Sequence, residues 1–122
     1  MNKWQAQYQF WASFGVPAYD AASVPTGDDA PSFPYITYEG TDAPFDGDMP
    51  VNVSIWTRST AWTQADALSD AIFAVLKNGG KVINYDGGMI WITAATPFSQ
   101  NMGDPDDDLI RRKLLGVTLH FA

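Results

Sequence analysis

Two stretches in which apolar and polar residues alternate constrain the fold of this chain most strongly. The first spans residues 51–57, and the second lies in 109–121, where apolar side chains occupy every other position from Leu115 to Phe121. A period of two is typical of a strand with one buried face. We therefore expect a sheet that packs one face on a core and leaves the other to water or a partner. Trp56 falls on the polar face, where a large aromatic side chain is unexpected.

Three further strands are predicted around this pair. Residues 33–39 are rich in strand formers, although Pro34 can lie only at the start of a strand or on an edge. Residues 81–85 and 89–93 flank the turn sequence Asp86-Gly87-Gly88, which predicts a hairpin.

Two helices are predicted as well. The first spans 2–14, with Trp4, Tyr8 and Trp11 on one apolar face. The second spans 60–77, has a cap at Ser59 or Thr60 and ends at Gly79–Gly80. Its apolar stripe has helical spacing and consists of Ala61, Ala65, Leu68, Ile72, Val75 and Leu76.

The order of these elements predicts an α+β fold. We expect an antiparallel sheet of about five strands with two helices packed on one face, in a single two-layer domain over residues 1–122. A hydrophobic fraction of 46% supports a core that needs no disulfide, which matters because the chain has no cysteine. Residues 15–32 are rich in Gly and Pro and are predicted to form a long flexible loop.

Charge and composition exclude several classes of function. Fourteen acidic residues stand against seven basic ones, a net charge of −7, so a basic surface for nucleic acid or an anionic membrane is disfavoured. The absence of cysteine removes thiolate chemistry. Apolar runs fall short of the roughly 20 residues that span a bilayer, and the first residues lack the features of a signal peptide.

No motif predicts catalysis, a cofactor or a metal. His120 is the single histidine, and no second histidine or cysteine is available for a conventional nucleophile and base. The segment Asp104–Asp108 resembles the start of a calcium loop, but Leu109 and Leu115 occupy the positions that need Gly and Glu. Phosphate-binding and nucleophile-elbow motifs are absent. We therefore expect no enzyme and no cofactor.

The aromatic residues point to a partner surface. Five Trp, five Tyr and seven Phe are more than one small core accommodates. Trp91 lies between Ile90 and Ile92 and faces outward if those two face the core. In the alternative, the first helix covers the second face of the sheet and buries Trp91 against Trp4 or Trp11.

The chain resembles the small tail-terminator (tail-completion) proteins of long-tailed bacteriophages over about residues 33–121. The residues that carry the resemblance are FPYITY at 33–38, VNVSIWT at 51–57, ADALSDAI at 65–72 and DLIRR at 108–112, followed by VTL at 117–119. The resemblance implies a structural virion protein at the head–tail junction, present in the host cytoplasm during assembly. Such proteins form a hexameric ring that ends the tail tube and joins it to the head connector. The first helix and the 15–32 loop depart from the family pattern.

A ring needs contacts between different patches of neighbouring copies. The candidate interface residues are Arg58, Arg111, Arg112, Lys113, Trp56 and Trp91, with the cations facing acidic residues of a neighbour. An acidic lumen would let DNA pass without binding. The candidate lumen residues are Asp42, Asp46, Asp48, Asp104, Asp106, Asp107 and Asp108.

Two alternatives remain open. The first is another head–tail connector or a tail-tube subunit, although tube proteins usually need a long hairpin and the one predicted at 81–93 is short. The second, from a different class, is a small ligand-binding or enzyme-accessory domain that uses the surface aromatics.

Overall fold

The computed structural model describes residues 1–44 and 46–122, which form an α+β fold. Two helices and six strands are present in that part of the chain, joined by short 3-10 turns at Ala21–Ser23 and Gly27–Asp29. The elements in chain order are α1 (Lys3–Ala12), β1 (Ala18–Asp20), β2 (Tyr35–Tyr38), β3 (Asp48–Arg58), α2 (Thr63–Leu76), β4 (Lys81–Tyr85), β5 (Gly88–Met102) and β6 (Ile110–Phe121).

The strands form one mixed sheet in the order β1-β2-β3-β6-β5-β4. β1 runs parallel to β2, and every other neighbouring pair is antiparallel. The α+β class is confirmed, but the prediction of about five antiparallel strands is wrong in number and at one edge. The additional strand is β1, which arises from the 15–32 segment that was predicted to be a loop.

One face of the sheet carries the core, and both helices pack on it. In the central strands this face presents Val53 and Ile55 from β3 and Leu115 and Val117 from β6, all essentially inaccessible to solvent. Phe10 and Trp11 of α1 and Ala65, Ile72 and Leu76 of α2 belong to the same apolar cluster. The two alternating stretches therefore supply the middle of the core. Within the described ranges, no helix is long and apolar enough to cross a bilayer.

α1 buries a different face from the one predicted. Its buried residues are Ala6, Gln7, Phe10 and Trp11, whereas Trp4 and Tyr8 are about half exposed, at 48% and 49%. Gln7 is fixed because its amide accepts from the Thr41 N–H at 3.2 Å and donates to the Thr41 carbonyl at 2.9 Å. The buried amide ties α1 to the segment after β2, an interaction that apolar spacing does not reveal.

α2 begins later than predicted. Its N-cap is Trp62, which makes no side-chain capping bond, so the expected cap at Ser59 or Thr60 is wrong. Of the predicted stripe, Ala65, Ile72 and Leu76 are buried, while Val75 is 40% exposed.

β5 is far longer than the 89–93 segment predicted for it. It continues to Met102, with an irregularity between Ala94 and Ser99 that shifts its register against β6. Pro97 and the polar residues 99–101 hide this continuation, because they give no alternation of apolar side chains. β5 and β6 consequently form a long hairpin that ends in the acidic segment 103–109.

Candidate interaction face

The sheet face opposite the core is not covered by α1 or α2, and we call it the open face. Residues 52, 54 and 56 of β3 and 112, 114 and 116 of β6 point to it, because their neighbours in the alternation are buried under the helices. Trp91 of β5 lies on this face and is 41% exposed. The alternative in which the first helix covers this face and buries Trp91 is therefore wrong.

Arg112, Trp56 and Tyr35 form a stack across three strands of the open face. They are direct cross-strand neighbours in β6, β3 and β2. The Arg112 guanidinium lies 4.6 Å from the Trp56 ring centroid, and the Tyr35 ring is stacked on the other side at 6.0 Å with an interplanar angle of 13°. A cation over an aromatic face and a stacked aromatic pair each stabilise such an arrangement.

Hydrogen bonds fix two of the three members of this stack. Arg112 donates from Nε to the Ser54 hydroxyl at 3.1 Å, and Trp56 donates from Nε1 to the Thr37 hydroxyl at 2.9 Å. Burial also raises the pKa of the Tyr35 phenol. Trp56, which was unexpected on a polar face, is thus fixed in the sheet surface by these contacts. Its ring positions the guanidinium of Arg112.

A cavity of about 390 Å³ lies beside this stack. Trp56 and Arg112 line it together with Glu39, Asn52 and Leu114. The Glu39 carboxylate accepts a hydrogen bond from the Asn52 backbone N–H at 2.5 Å and keeps its negative charge, because that donor is neutral. The cavity therefore combines apolar walls with the guanidinium of Arg112 and the carboxylate of Glu39.

A second group of exposed residues lies at the far end of the open face. Val82 and Met89 are 45% and 40% exposed, and Val82 pairs with Trp91 across β4 and β5. The Trp91 ring lies 4.6 Å from the His120 ring. Exposed apolar side chains that cluster on one face are typical of a surface that meets a partner.

His120 has partners that the sequence did not predict. Its Nδ1 lies 2.7 Å from Asp48 Oδ1, and its Nε2 lies 3.0 Å from Thr93 Oγ1. An acid, an imidazole and a hydroxyl in this order resemble a hydrolase triad in connectivity. Yet Thr93 is paired with Thr118 within the sheet. The cavity at Arg112 lies eight residues along β6 from His120, about 27 Å at roughly 3.4 Å per residue. These bonds orient His120 against Trp91.

The four predicted interface cations are separated by the pleat of the sheet. Arg58 pairs with Asp107 of its own chain at 2.9 Å, and Lys113 pairs with Asp66 of α2 at 2.9 Å. Arg111 donates to the Asp108 carbonyl and lies beside Trp62. Arg58 and Arg112 both lie on strand positions that face the open side, but only Arg112 of these two forms no ion pair with any carboxylate of residues 1–44 and 46–122.

The two predicted acidic segments lie at opposite ends of β6. Asp107 and Asp108 precede its first residue, whereas Asp46 donates its backbone N–H to the carbonyl of Phe121, the last residue. The eleven residue steps from Ile110 to Phe121 correspond to about 37 Å. The seven predicted lumen residues are therefore two separate groups, and both groups line one channel only if β6 runs along its axis.

Some of these carboxylates have structural roles. Asp104 Oδ1 accepts from the Asp106 and Asp107 N–H groups and builds the hairpin turn. Asp42 pairs with Lys3 at 2.7 Å, and that hydrogen bond lowers the pKa of the Asp42 carboxyl. Asp106, Asp108 and Asp46 are exposed. Among the described residues, no group of three or more metal-ligating side chains is placed to hold a metal ion.

The Arg58–Asp107 pair predicts an acid-sensitive contribution to stability. The hydrogen bond from Arg58 is the main cause that lowers the pKa of Asp107 below its ordinary value of 3.8. A lowered pKa in the folded state stabilises the fold above the unfolded-state pKa, and this contribution is lost as pH falls through the folded-state value. Arg58→Gln should therefore unfold at a lower temperature than wild type at pH 7, and this difference in unfolding temperature should vanish by about pH 2.

Lys77→Gln is the matched control, because Lys77 is exposed and forms no ion pair with the described residues. A difference in unfolding temperature between wild type and Arg58→Gln that stays constant from pH 7 to pH 2 would contradict the role assigned to the Arg58–Asp107 pair.

Comparison with known proteins finds no family model that matches this chain and no curated protein that matches it.

Sequence reasoning missed the partners that make the open face a site. Tyr35, Thr37 and Ser54 were seen as strand formers or polar alternation, and Asp48 was grouped with the other acids. Their contacts depend on the register between β2, β3 and β6, which local patterns do not specify. The one available signal was Trp56 on a polar face.

Proposed function

We propose that this chain is a structural subunit that assembles with copies of itself into a ring. The ring ends the tail tube of a long-tailed phage and joins it to the head connector. The observation that carries the proposal is the open face, which presents the half-buried Arg112–Trp56–Tyr35 stack and the Trp91 group, made of the exposed Val82, Met89 and Trp91, opposite the core. The resemblance of residues 33–121 to tail-terminator proteins supplies the place in the virion.

The composition of the open face supports an assembly role. Aromatic residues, Met and Arg are enriched in the buried centre of protein interfaces, and Lys, Glu and Asp are depleted there. The stack and the Trp91 group match that composition, with Glu39 in the cavity and Asp48 at His120 as the acidic residues described on this face. A face of this kind allows a strongly acidic chain to meet another copy with little charge repulsion.

The acidic hairpin tip supports a second part of the proposal. Asp106 and Asp108 are exposed at the end of the β5–β6 hairpin, and the turn does not depend on their carboxylates. Facing the lumen, they would repel phosphates and keep passing DNA from binding. Their replacement by lysine should slow DNA ejection while leaving assembly intact.

A tail-tube subunit is the second candidate, and one observation favours it. The hairpin formed by β5 and β6 pairs from Ile90–Phe121 to Met102–Arg112, so the chain has the long hairpin that the 81–93 segment lacks. A ligand-binding domain is the candidate from a different class, since the cavity of about 390 Å³ beside Arg112 is within the range of small-molecule sites.

Electron microscopy of the purified protein mixed with tail tubes separates these candidates. A terminator gives a single ring at one end of each tube and stops further growth of tube protein. A tube subunit polymerises into tubes by itself, and a ligand-binding domain leaves the tubes unchanged and their ends bare. Bare tube ends at saturating protein would overturn the proposal.

A further inference from the structure

The Arg112 guanidinium is held in one position and forms no ion pair with the described residues. The guanidinium is stacked on Trp56 and anchored through Nε to Ser54, Arg112 lines the cavity, and its two terminal nitrogens make no hydrogen bond with the described residues. A planar guanidinium held in this way binds a carboxylate through two parallel hydrogen bonds and loses little side-chain entropy. The expected ligand is therefore a carboxylate that enters from outside the chain.

Asp46 is an exposed carboxylate on a backbone that is held in one conformation. It has φ +67°, the one positive value found for a non-glycine residue in the described part of the chain. Its backbone is held there by the hydrogen bond to Phe121 at 2.9 Å, and its side chain is exposed. A glycine adopts this conformation at no cost, so the aspartate places a carboxylate where the backbone alone favours another residue.

The other acids of this end are already occupied. Asp42 pairs with Lys3 and Asp48 pairs with His120, whereas Asp46 forms no ion pair with the described residues. Asp46 and Arg112 of one chain cannot meet, because Phe121 lies nine residue steps along β6 from Arg112, about 30 Å. Their charges complement each other only between two copies.

We infer that Asp46 of one copy binds Arg112 of the next copy, with the carboxylate entering the cavity beside Trp56. This inference rests on the proposed ring, which requires two different patches on each copy. Asp106 and Asp108 are weaker candidates, because they lie at the same end of β6 as Arg112 and would favour a symmetric dimer. The assignment removes Asp46 from the predicted lumen and places it at the interface.

Charge reversal tests the pairing. Arg112→Glu and Asp46→Arg, each alone, should weaken self-association about 100-fold in light scattering, since both place like charges together. A one-to-one mixture of the two variants should associate as wild type does, because every contact in alternating copies then joins opposite charges. Lys77→Glu and Asp70→Arg make the same charge changes at exposed sites and should have little effect.

Asp46→Gly separates association from folding. Glycine relieves the positive φ, so the variant should unfold at the same temperature as wild type or higher, yet associate as poorly as Asp46→Arg. A role of Asp46 in folding alone would lower the unfolding temperature and leave association unchanged.

The outcomes distinguish this pairing from the ring itself. Single variants that assemble like wild type, or a mixture that does not recover, would overturn the pairing while the ring proposal stands. Wild-type protein that stays monomeric at every concentration and salt, alone and with tail tubes, would overturn both.

Discussion

Replacing Leu115 with alanine is expected to remove about 3 kcal/mol from the free energy of unfolding. Leu115 is fully buried in the central strand β6, opposite Val53 of β3, in the apolar core on which α2 packs. Truncation leaves a cavity there in addition to the lost burial of its methyl groups. Against a total stability on the order of 10 kcal/mol, this is a large loss.

The adjacent residue provides the control. Leu114 points to the open face and lines the cavity beside Arg112, so Leu114→Ala should cost much less stability and should weaken self-association instead. Urea unfolding measures the change in stability, and light scattering of the folded protein measures the change in self-association. Equal losses of stability at positions 114 and 115 would mean that the two faces of β6 are equally buried, contrary to the fold described above.

Replacing both Asp106 and Asp108 with lysine is expected to make the proposed ring bind DNA. Each copy changes from a net charge of −7 to −3, and every copy of the proposed ring would add two cations to its lumen. Six to ten phosphate contacts change affinity by about 10³–10⁵ between 50 and 200 mM salt. The variant should therefore retain duplex DNA at 50 mM salt and release it at 200 mM, whereas wild type should not bind.

The control is a double variant that carries Asp28→Lys and Asp29→Lys. It makes the same change of charge at another exposed site, the 3-10 turn Gly27–Asp29. Filter binding at the two salt concentrations compares the pairs. If both double variants retain DNA equally, net charge and not the lumen is responsible.

The strands with clear alternation could be predicted because their pattern is a direct consequence of one buried face. Residues 51–57 and 115–121 lie in the two central strands β3 and β6. β1 could not be predicted, since its three residues are held by their parallel pairing with β2 rather than by local preference. The buried face of α1 was also misjudged, because a buried Gln7 bound to Thr41 competes with aromatic spacing.

The candidate site was predictable in its residue types and not in its geometry. The clustering of Arg111, Arg112 and Lys113 is visible in the sequence, and so is the oddity of Trp56. Which of the three cations faces outward depends on the pleat of β6, and which aromatic side chain meets it depends on the register with β3. Those pairings are long-range, and a single sequence does not contain a local signal for them.

Native mass spectrometry of the intact protein across a range of concentrations, alone and after incubation with tail tubes, tests most directly whether this chain acts through self-contact. We expect a single closed species near six times the monomer mass of 13.4 kDa, formed in solution or released from tube ends. A spectrum that contains monomer alone under every condition would contradict the account.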